Sequence, residues 1–181
     1  MKKILMILAV MLSIHAAQAQ VTRASLQASG LTCSMCSKAV KQALDGVSFV
    51  EKVQVDIKNQ QYNLTFKPGA VVDFDALSQA VKDAGFSVAA LKVTARVDGL
   101  TAQKDEHLKI GSQYFHVLNA SGQSLSGETT FSIVDRDFVS AKESKKWSTA
   151  SKMACVKTGH AASCCAKDAL AAKSRVYHVI I

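Results

Sequence analysis

The sequence predicts an α+β protein made of two parts. In residues 20–95, segments with alternating apolar residues and segments with apolar residues at helical spacing follow one another in the order strand, helix, strand, strand, helix, strand. In residues 96–181, alternating and β-branched segments predominate, with one or two helical segments. Of the 181 residues, 49% are hydrophobic and 20% are charged, a composition typical of a folded globular protein and not of a disordered chain.

The first part begins with a strand and a helix. Ala24, Leu26 and Ala28 alternate with polar residues, as in a half-buried strand. The next apolar residues recur at intervals of three and four, as on one face of a helix, and these are Cys36, Ala39, Val40, Ala43 and Leu44. Asp45-Gly46 then ends the predicted helix.

A hairpin, a second helix and a last strand complete the first part. Residues 53–57 and 62–66 alternate on either side of a turn signal, which predicts two paired strands. Asp73 is the predicted N-cap of the second helix, and Gly85 closes it. Residues 88–93 supply the last strand. The order βαββαβ is that of the ferredoxin-like fold, in which two helices cover one face of a four-stranded antiparallel sheet.

The second part is predicted to be a smaller, mostly-β, barrel-like domain with one or two helices. Its predicted strands cover residues 107–118, 129–134 and 176–181. Its predicted helices cover residues 141–154 and 161–173. Residues 119–127, rich in Gly and Ser, are predicted to form turns.

Residues 1–19 are predicted to be an export signal. Lys2 and Lys3 form a positive segment, residues 4–12 an apolar segment and residues 17–19 an A-x-A cleavage site. We therefore expect a periplasmic protein, since no later stretch reaches the ~18 consecutive apolar residues that a membrane span requires. The net charge of +8 falls to +6 without the two signal lysines, and the remaining charges are scattered. Because the protein is expected to be exported, nucleic acid is not expected as a partner, and no membrane span is expected after signal removal.

The most specific motif is Gly30-Leu31-Thr32-Cys33-Ser34-Met35-Cys36, between the first strand and the first helix. Cys33 lies in the predicted loop and Cys36 begins the helix. Unpaired backbone N–H groups and the positive end of the helix dipole lower thiol pKa values there and favour thiolates. Two thiolates with no His or carboxylate nearby favour soft ions, above all Cu(I), whereas structural Zn²⁺ usually takes four ligands. Two-coordinate binding leaves the ion open to an incoming thiolate, as a carrier requires.

This motif on a βαββαβ pattern, with Ala84-Gly85-Phe86 after the second helix, resembles the heavy-metal-associated domain of copper chaperones and copper-transporting P-type ATPases. With an export signal in front, it also resembles the periplasmic mercuric-ion-binding proteins of mercury-resistance systems. The resemblance implies that Cys33 and Cys36 are the metal ligands and that Phe86 packs near the metal loop. Leu31 stands where the family usually has Met, and it is expected to keep the apolar anchor of the loop.

The resemblance implies metal ion transport without enzymatic activity. The expected function is that of a periplasmic metallochaperone that holds Cu(I) and passes it by ligand exchange to or from a copper-transporting P-type ATPase or another periplasmic metal carrier. One alternative is an Hg(II) scavenger of a mercury-resistance system, because Hg(II) also accepts two thiolates. A structural disulfide and a thiol-disulfide redox module remain open as well. Thiol-disulfide oxidoreductases commonly have a Trp before the first Cys of the motif and a cis-proline that faces it. Here Thr32 precedes Cys33, and the single proline, Pro68, lies in a turn signal, so a redox enzyme is disfavoured.

A second cluster of soft ligands lies near the C-terminus. Its members are Cys155, His160, Cys164 and Cys165, spaced C-x4-H-x3-C-C. One interpretation is a second soft-metal site. The other is a disulfide from Cys155 to one of the two later cysteines, and the total of five Cys leaves at least one thiol over. His107 and His116, each isolated on a predicted strand, are interpreted as ordinary core or surface residues.

Overall fold

The computed structural model describes residues 19–168 and 170–181, with the backbone alone for residues 164, 166 and 167. The predicted export signal, apart from Ala19, lies outside the described residues. The strands are β1 (Gln20–Ser29), β2 (Val50–Asp56), β3 (Gln61–Phe66), β4 (Ser87–Gln103), β5 (Glu106–Ile110), β6 (Gln113–Val117), β7 (Ser121–Ile133) and β8 (Val176–Ile180). The helices are α1 (Ser34–Asp45), α2 (Phe74–Asp83), α3 (Ala141–Ser148), α4 (Cys155–Thr158) and a 3-10 helix (Ser163–Asp168). None of the described helices is long and apolar enough to cross a membrane.

The elements from β1 to β4 confirm the predicted ferredoxin-like fold. Their strands lie in the order β2-β3-β1-β4, and each neighbouring pair is antiparallel. The two helices pack against each other and bury their apolar stripes, which include Val40 and Leu44 of α1 and Leu77 and Val81 of α2. This burial removes apolar surface from water and holds α1, whose N-terminus carries the cysteine motif, against the sheet.

The predicted ends of the helices are also confirmed. Gly46 is the C-cap of α1. The carboxylate of Asp73 caps α2 by accepting hydrogen bonds from the backbone N–H groups of Asp75 and Ala76. Gly85 follows α2 with a φ of 89°, a left-handed conformation that glycine adopts without the steric cost of a Cβ atom.

Strand β4 is longer than the predicted last strand. It continues past residue 95, where the sequence places a domain boundary, and pairs with β7 as far as Gln103. The whole sheet has the order β2-β3-β1-β4-β7-β8-β6-β5, in which only β6 and β8 are parallel neighbours. The mostly-β second part with short helices is confirmed, but its strands extend the first sheet instead of closing into a separate barrel.

One strand prediction and one turn prediction in the second part are wrong, and both concern segments in which glycines adopt positive φ. The predicted single strand over residues 107–118 is a hairpin of β5 and β6, since Gly111 turns the chain with a φ of 60°. Of the predicted turns over residues 119–127, residues 121–127 belong instead to β7, in which Gly122 and Gly127 also have positive φ. Register shifts on β4 opposite these glycines keep the two strands paired.

Both predicted helices of the second part are shorter than expected. The first ends at Ser148, and the hydroxyls of Ser148 and Thr149 bond back to carbonyls one turn earlier. The second is reduced to the 3-10 helix because Ala161 forms backbone hydrogen bonds with Lys173 and Ser174. These bonds bring the two ends of the segment together, which a continuous helix would prevent.

The two parts share one hydrophobic core. Tyr177 of β8 lies edge-on against Phe74 of α2, with ring centroids 4.9 Å apart. Phe115 of β6 and Phe138 each lie 6.3 Å from the same tyrosine ring. Since all four rings are fully buried, the second part is packed directly on α2.

A polar contact reinforces this packing. The guanidinium of Arg175 donates to both carboxylate oxygens of Asp75 on α2, at 2.7 and 3.0 Å, and to Asp135 at 3.3 Å. It also donates to two backbone carbonyls and lies 4.2 Å from the Tyr177 ring centroid. Because the side chain of Arg175 is 23% exposed, this ion pair is less screened by water than a surface pair.

We expect Arg175→Ala to lower the free energy of unfolding by about 1–3 kcal/mol, because it leaves two partly buried carboxylates without their cation. The matched control is Arg23→Ala, which removes the exposed Arg23–Glu128 pair and is expected to cost about 0–1 kcal/mol. Urea denaturation followed by circular dichroism measures both. Equal losses in the two variants would show that Arg175 does not join the two parts.

Candidate metal centre

Cys33 and Cys36 lie together at the N-terminus of α1. Cys33 is the N-cap residue, with an extended backbone (φ −150°, ψ 163°), and its Sγ accepts a hydrogen bond of 3.3 Å from the backbone N–H of Cys36. Cys33 is exposed and Cys36, in the first helical turn, is half-buried. The structure therefore brings both predicted ligands to the same solvent-accessible helix end.

The charge environment favours a thiolate at Cys36. Hydrogen bonds with the Cys33 side chain, and then with the backbone of Thr32, lower the pKa of the Cys36 thiol below its ordinary value. The first turn of α1, every residue of which the structure describes, contains no acidic side chain that would oppose a negative sulfur. The thiolate form of Cys36, which is the form that binds soft metal ions, is thus favoured.

Apolar residues connect the loop that carries Cys33 to the hydrophobic core. Leu31 and Phe86 are half-buried and pack against the core. A Cβ atom on Gly30, whose φ is 85°, would lie 3.8 Å from the Phe86 ring. The structure thus places Phe86 beside the loop and gives Leu31 the position of an apolar anchor.

A tyrosine and a shallow cleft lie beside the motif. Tyr62 of β3 is buried, and its hydroxyl donates to the carbonyl of Ser37 in α1 at 3.3 Å. Burial raises the pKa of Tyr62, and the nearby Cys36 adds to the rise. The cleft has a volume of about 250 Å³, and Cys33 and Ile57 are among its lining residues. Ile57 is 83% exposed and Met35 is 69% exposed, so apolar surface borders the exposed sulfur.

Among the described side chains of the C-terminal cluster, the structure keeps two cysteines together and places His160 apart from them. Cys155 and Cys165 are both buried in one small apolar cluster. His160 is exposed, and its Nδ1 atom lies 2.8 Å from the carbonyl oxygen of Thr158. The side chain of Cys164 is outside the described part of the chain. The four-residue soft-metal site therefore stays a prediction.

Cys155 instead contacts two histidines that the sequence analysis did not select. Its Sγ lies 3.6 Å from Nδ1 of His116 and 3.8 Å from Nε2 of His107. The two histidines lie directly opposite each other across the β5–β6 hairpin. A sequence signal did exist, because the two positions are equally distant from the turn at Gly111-Ser112. It becomes visible only when residues 107–118 are divided into two strands.

Comparison with known proteins identifies relatives of the first part of the chain. Residues 25–87 match the heavy-metal-associated domain. The periplasmic component of the mercuric transport protein of Pseudomonas fluorescens is 34% identical over 86 residues, which cover 48% of this chain and 93% of that protein. A probable copper-transporting ATPase of Arabidopsis thaliana is 26% identical over 91 residues, which cover 45% of this chain and 9% of the ATPase.

A solved structure of oxidised MerP from Ralstonia metallidurans CH34 is 35% identical, with a TM-score of 0.33 over 39% of this chain and 96% of that one. The copper ATPase is matched over a small fraction of its length, whereas the mercuric relative is matched almost from end to end. The match to the heavy-metal-associated domain includes both Cys33 and Cys36. The chain therefore belongs to the heavy-metal-associated family, with its heavy-metal-associated domain at residues 25–87.

Proposed function

We propose that this protein is a periplasmic metallochaperone that holds one Cu(I) ion between Cys33 and Cys36 and passes it on by ligand exchange. The observation that carries the proposal is the pair of cysteines at one helix end, with the pKa of Cys36 lowered and the Cys33 side chain exposed. Two thiolates satisfy a soft ion that accepts low coordination numbers. The copper-transporting ATPases among the relatives support copper as this ion.

Transfer would begin at the exposed sulfur. A thiolate of the partner attacks the bound ion and forms a new metal–sulfur bond, which gives a three-coordinate intermediate. The bond to Cys33 then breaks, since this sulfur is the more accessible, and the half-buried Cys36 is released last. Only metal–sulfur bonds form and break and no electron is transferred, so we assign no enzymatic activity.

The partner would dock beside the loop. Ile57, which lines the same cleft as Cys33, and Met35 of the motif both present exposed apolar side chains, which a partner could cover while its thiolate reaches the ion. A copper-transporting P-type ATPase or another periplasmic metal carrier is the partner that this transfer chemistry requires. The periplasmic location rests on the export signal and on the mercuric relative, whose name describes a periplasmic component.

An Hg(II) scavenger of a mercury-resistance system is the second candidate. The observation that favours it is the 93% coverage of the mercuric transport component at 34% identity. Hg(II) accepts the same pair of thiolates, so Cys33 and Cys36 would be its ligands as well. Two measurements distinguish the two functions. The first is competition between Cu(I) and Hg(II) for the reduced protein, and the second is delivery of the bound ion to a copper ATPase domain.

We expect Cys33→Ser and Cys36→Ser each to weaken Cu(I) binding by about 100-fold or more, because a single thiolate cannot chelate the ion. The measurement is an anaerobic titration against a chromophoric Cu(I) chelator. The protein carries serine in place of Cys155, Cys164 and Cys165, so that only the motif supplies thiolates. Ser34→Ala, in the same loop, is the control and should keep the full affinity. The two-thiolate site would be refuted by a cysteine variant that retains this affinity, or by Zn²⁺ binding more tightly than Cu(I).

The lowered pKa of Cys36 predicts a pH dependence. In the reduced, metal-free protein, the thiol of Cys36 should titrate at a lower pH than free cysteine. Cys33→Ala removes the leading hydrogen bond and should move the titration towards free cysteine. Cu(I) affinity should fall as the pH is lowered through this range, because protons compete for the sulfur.

The measurement is the rate of iodoacetamide alkylation against pH, followed by mass spectrometry of the peptide that contains Cys36. Free cysteine alkylated in parallel supplies the reference, and Ser34→Ala is again the control. A titration of Cys36 at or above that of free cysteine would contradict the prediction.

A further inference from the structure

Two histidines and a cysteine meet in the second part of the protein. They are His107 of β5, His116 of β6 and Cys155 at the start of α4. One nitrogen of each histidine and the sulfur of Cys155 all lie within 4.8 Å of one another. The two imidazole rings are stacked with centroids 4.7 Å apart, and all three side chains are buried.

Carboxylates hold both imidazoles in a defined orientation. Nδ1 of His107 lies 2.5 Å from Oδ2 of Asp168, and Nε2 of His116 lies 3.3 Å from Oδ1 of Asp105. A carboxylate accepts the N–H of the ring nitrogen beside it, which leaves the lone pair on the other nitrogen. Those other nitrogens are the two that face Cys155. Histidines that bind metals usually have this outer carboxylate partner.

The protonation state of His116 suits a metal ligand. Burial, and then the neighbouring His178 and His107, lower the pKa of His116 to about 4. With Asp105 beside Nε2, the Nδ1 atom of His116 keeps the lone pair that faces Cys155. Since protonation would place a charge inside the core, a neutral ring is also the form that packing favours.

We propose that His107, His116 and Cys155 form a second metal site, which binds one copper ion through two imidazole nitrogens and one thiolate. This site is distinct from the Cys33–Cys36 pair and does not depend on the function proposed for it. On binding, the thiol of Cys155 loses its proton to solvent and a copper–sulfur bond forms. The site keeps Cys155 of the predicted C-terminal cluster but replaces the exposed His160 with the two hairpin histidines.

The donor set favours copper. Among the described side chains the donors are two histidines and one cysteine, a set typical of trigonal copper sites, whereas structural Zn²⁺ sites usually have four protein ligands. The imidazoles are less soft than thiolates, so this site differs in chemistry from the two-sulfur motif of α1. Copper bound here therefore has a coordination that can be told apart from copper bound to Cys33 and Cys36.

A cleft lies beside the buried site, and His178 borders both. The cleft has a volume of about 630 Å³ and lies between α2 and the second part, where Asp75, Arg175 and His178 are among its lining residues. The ring of His178 is edge-on to His116, with centroids 5.2 Å apart. Its Nδ1 atom bonds to Asp135, but its buried Nε2 atom has no hydrogen-bond partner among the described residues. His178 therefore places an uncommitted nitrogen between the cleft and the site.

The test uses the full chain with Cys33→Ser and Cys36→Ser, which removes the first site. We expect the reduced, metal-free double variant to bind one equivalent of Cu(I) under anaerobic conditions. X-ray absorption at the copper edge should show two nitrogen scatterers and one sulfur. Adding Cys155→Ser or His107→Gln should weaken binding by about 100-fold or more, because each removes one ligand of the chelate. Adding His160→Ala, at an exposed histidine, should leave affinity and spectrum unchanged.

Three results would overturn the proposal. The double variant could bind no Cu(I), it could bind Cu(I) with sulfur scatterers only, or it could bind Zn²⁺ more tightly than Cu(I). If Cys155→Ser loses its cooperative thermal transition, the spectrum of the double variant and the affinity of His107→Gln still decide the question. Failure of the first site is recognised separately. In that case the wild-type protein would bind no copper with two sulfur ligands in addition to the copper that the double variant binds.

Discussion

The backbone pairing of β4 is the interaction on which the arrangement of both parts depends. One edge of this strand bonds to β1 and the other to β7, so a single strand belongs to the ferredoxin-like unit and to the second part. Interior strands lose hydrogen bonds on both sides when they separate, which makes this junction costly to open. With β4 in place, Tyr177 and Arg175 pack on α2. The cysteine motif and the histidine cluster (His107, His116 and Cys155) then occupy fixed positions relative to one sheet.

At the cysteine motif, one side chain caps the helix and is also a proposed ligand of the metal ion. Cys33 satisfies a backbone N–H of the first turn of α1, a task that Ser, Thr, Asp or Asn performs in most helices. A sulfur is a weak acceptor, so the cap gains little stability from it. The same position keeps the sulfur exposed and lowers the pKa of Cys36, and these are the properties that a metal carrier needs. A cysteine at this cap position therefore stabilises α1 less than Ser, Thr, Asp or Asn would, but it places a reactive sulfur at the helix end.

Several buried histidines in the core of the second part are paired with carboxylates. Asp168, Asp105 and Asp135 each bond to one buried histidine, so the cost of burying these rings is offset by hydrogen bonds. Asp135 also binds Arg175, which in turn binds Asp75 of α2. The contact that joins the two parts is thus linked through one carboxylate to His178 and, through ring packing, to the histidine cluster.

The sequence by itself determined the βαββαβ order, the caps at Asp73 and Gly85, and the placement of Cys33 and Cys36 at a helix start. These features depend on periodicity and capping, which act within a few residues of each other. Only the tertiary structure decided that β4 continues into a shared sheet, and that Cys155 meets His107 and His116, which are 48 and 39 residues away along the chain. Contacts between such distant residues depend on which strands pair and where the chain turns. The turn at Gly111, which the alternation of the flanking residues does not show, is what places His107 opposite His116.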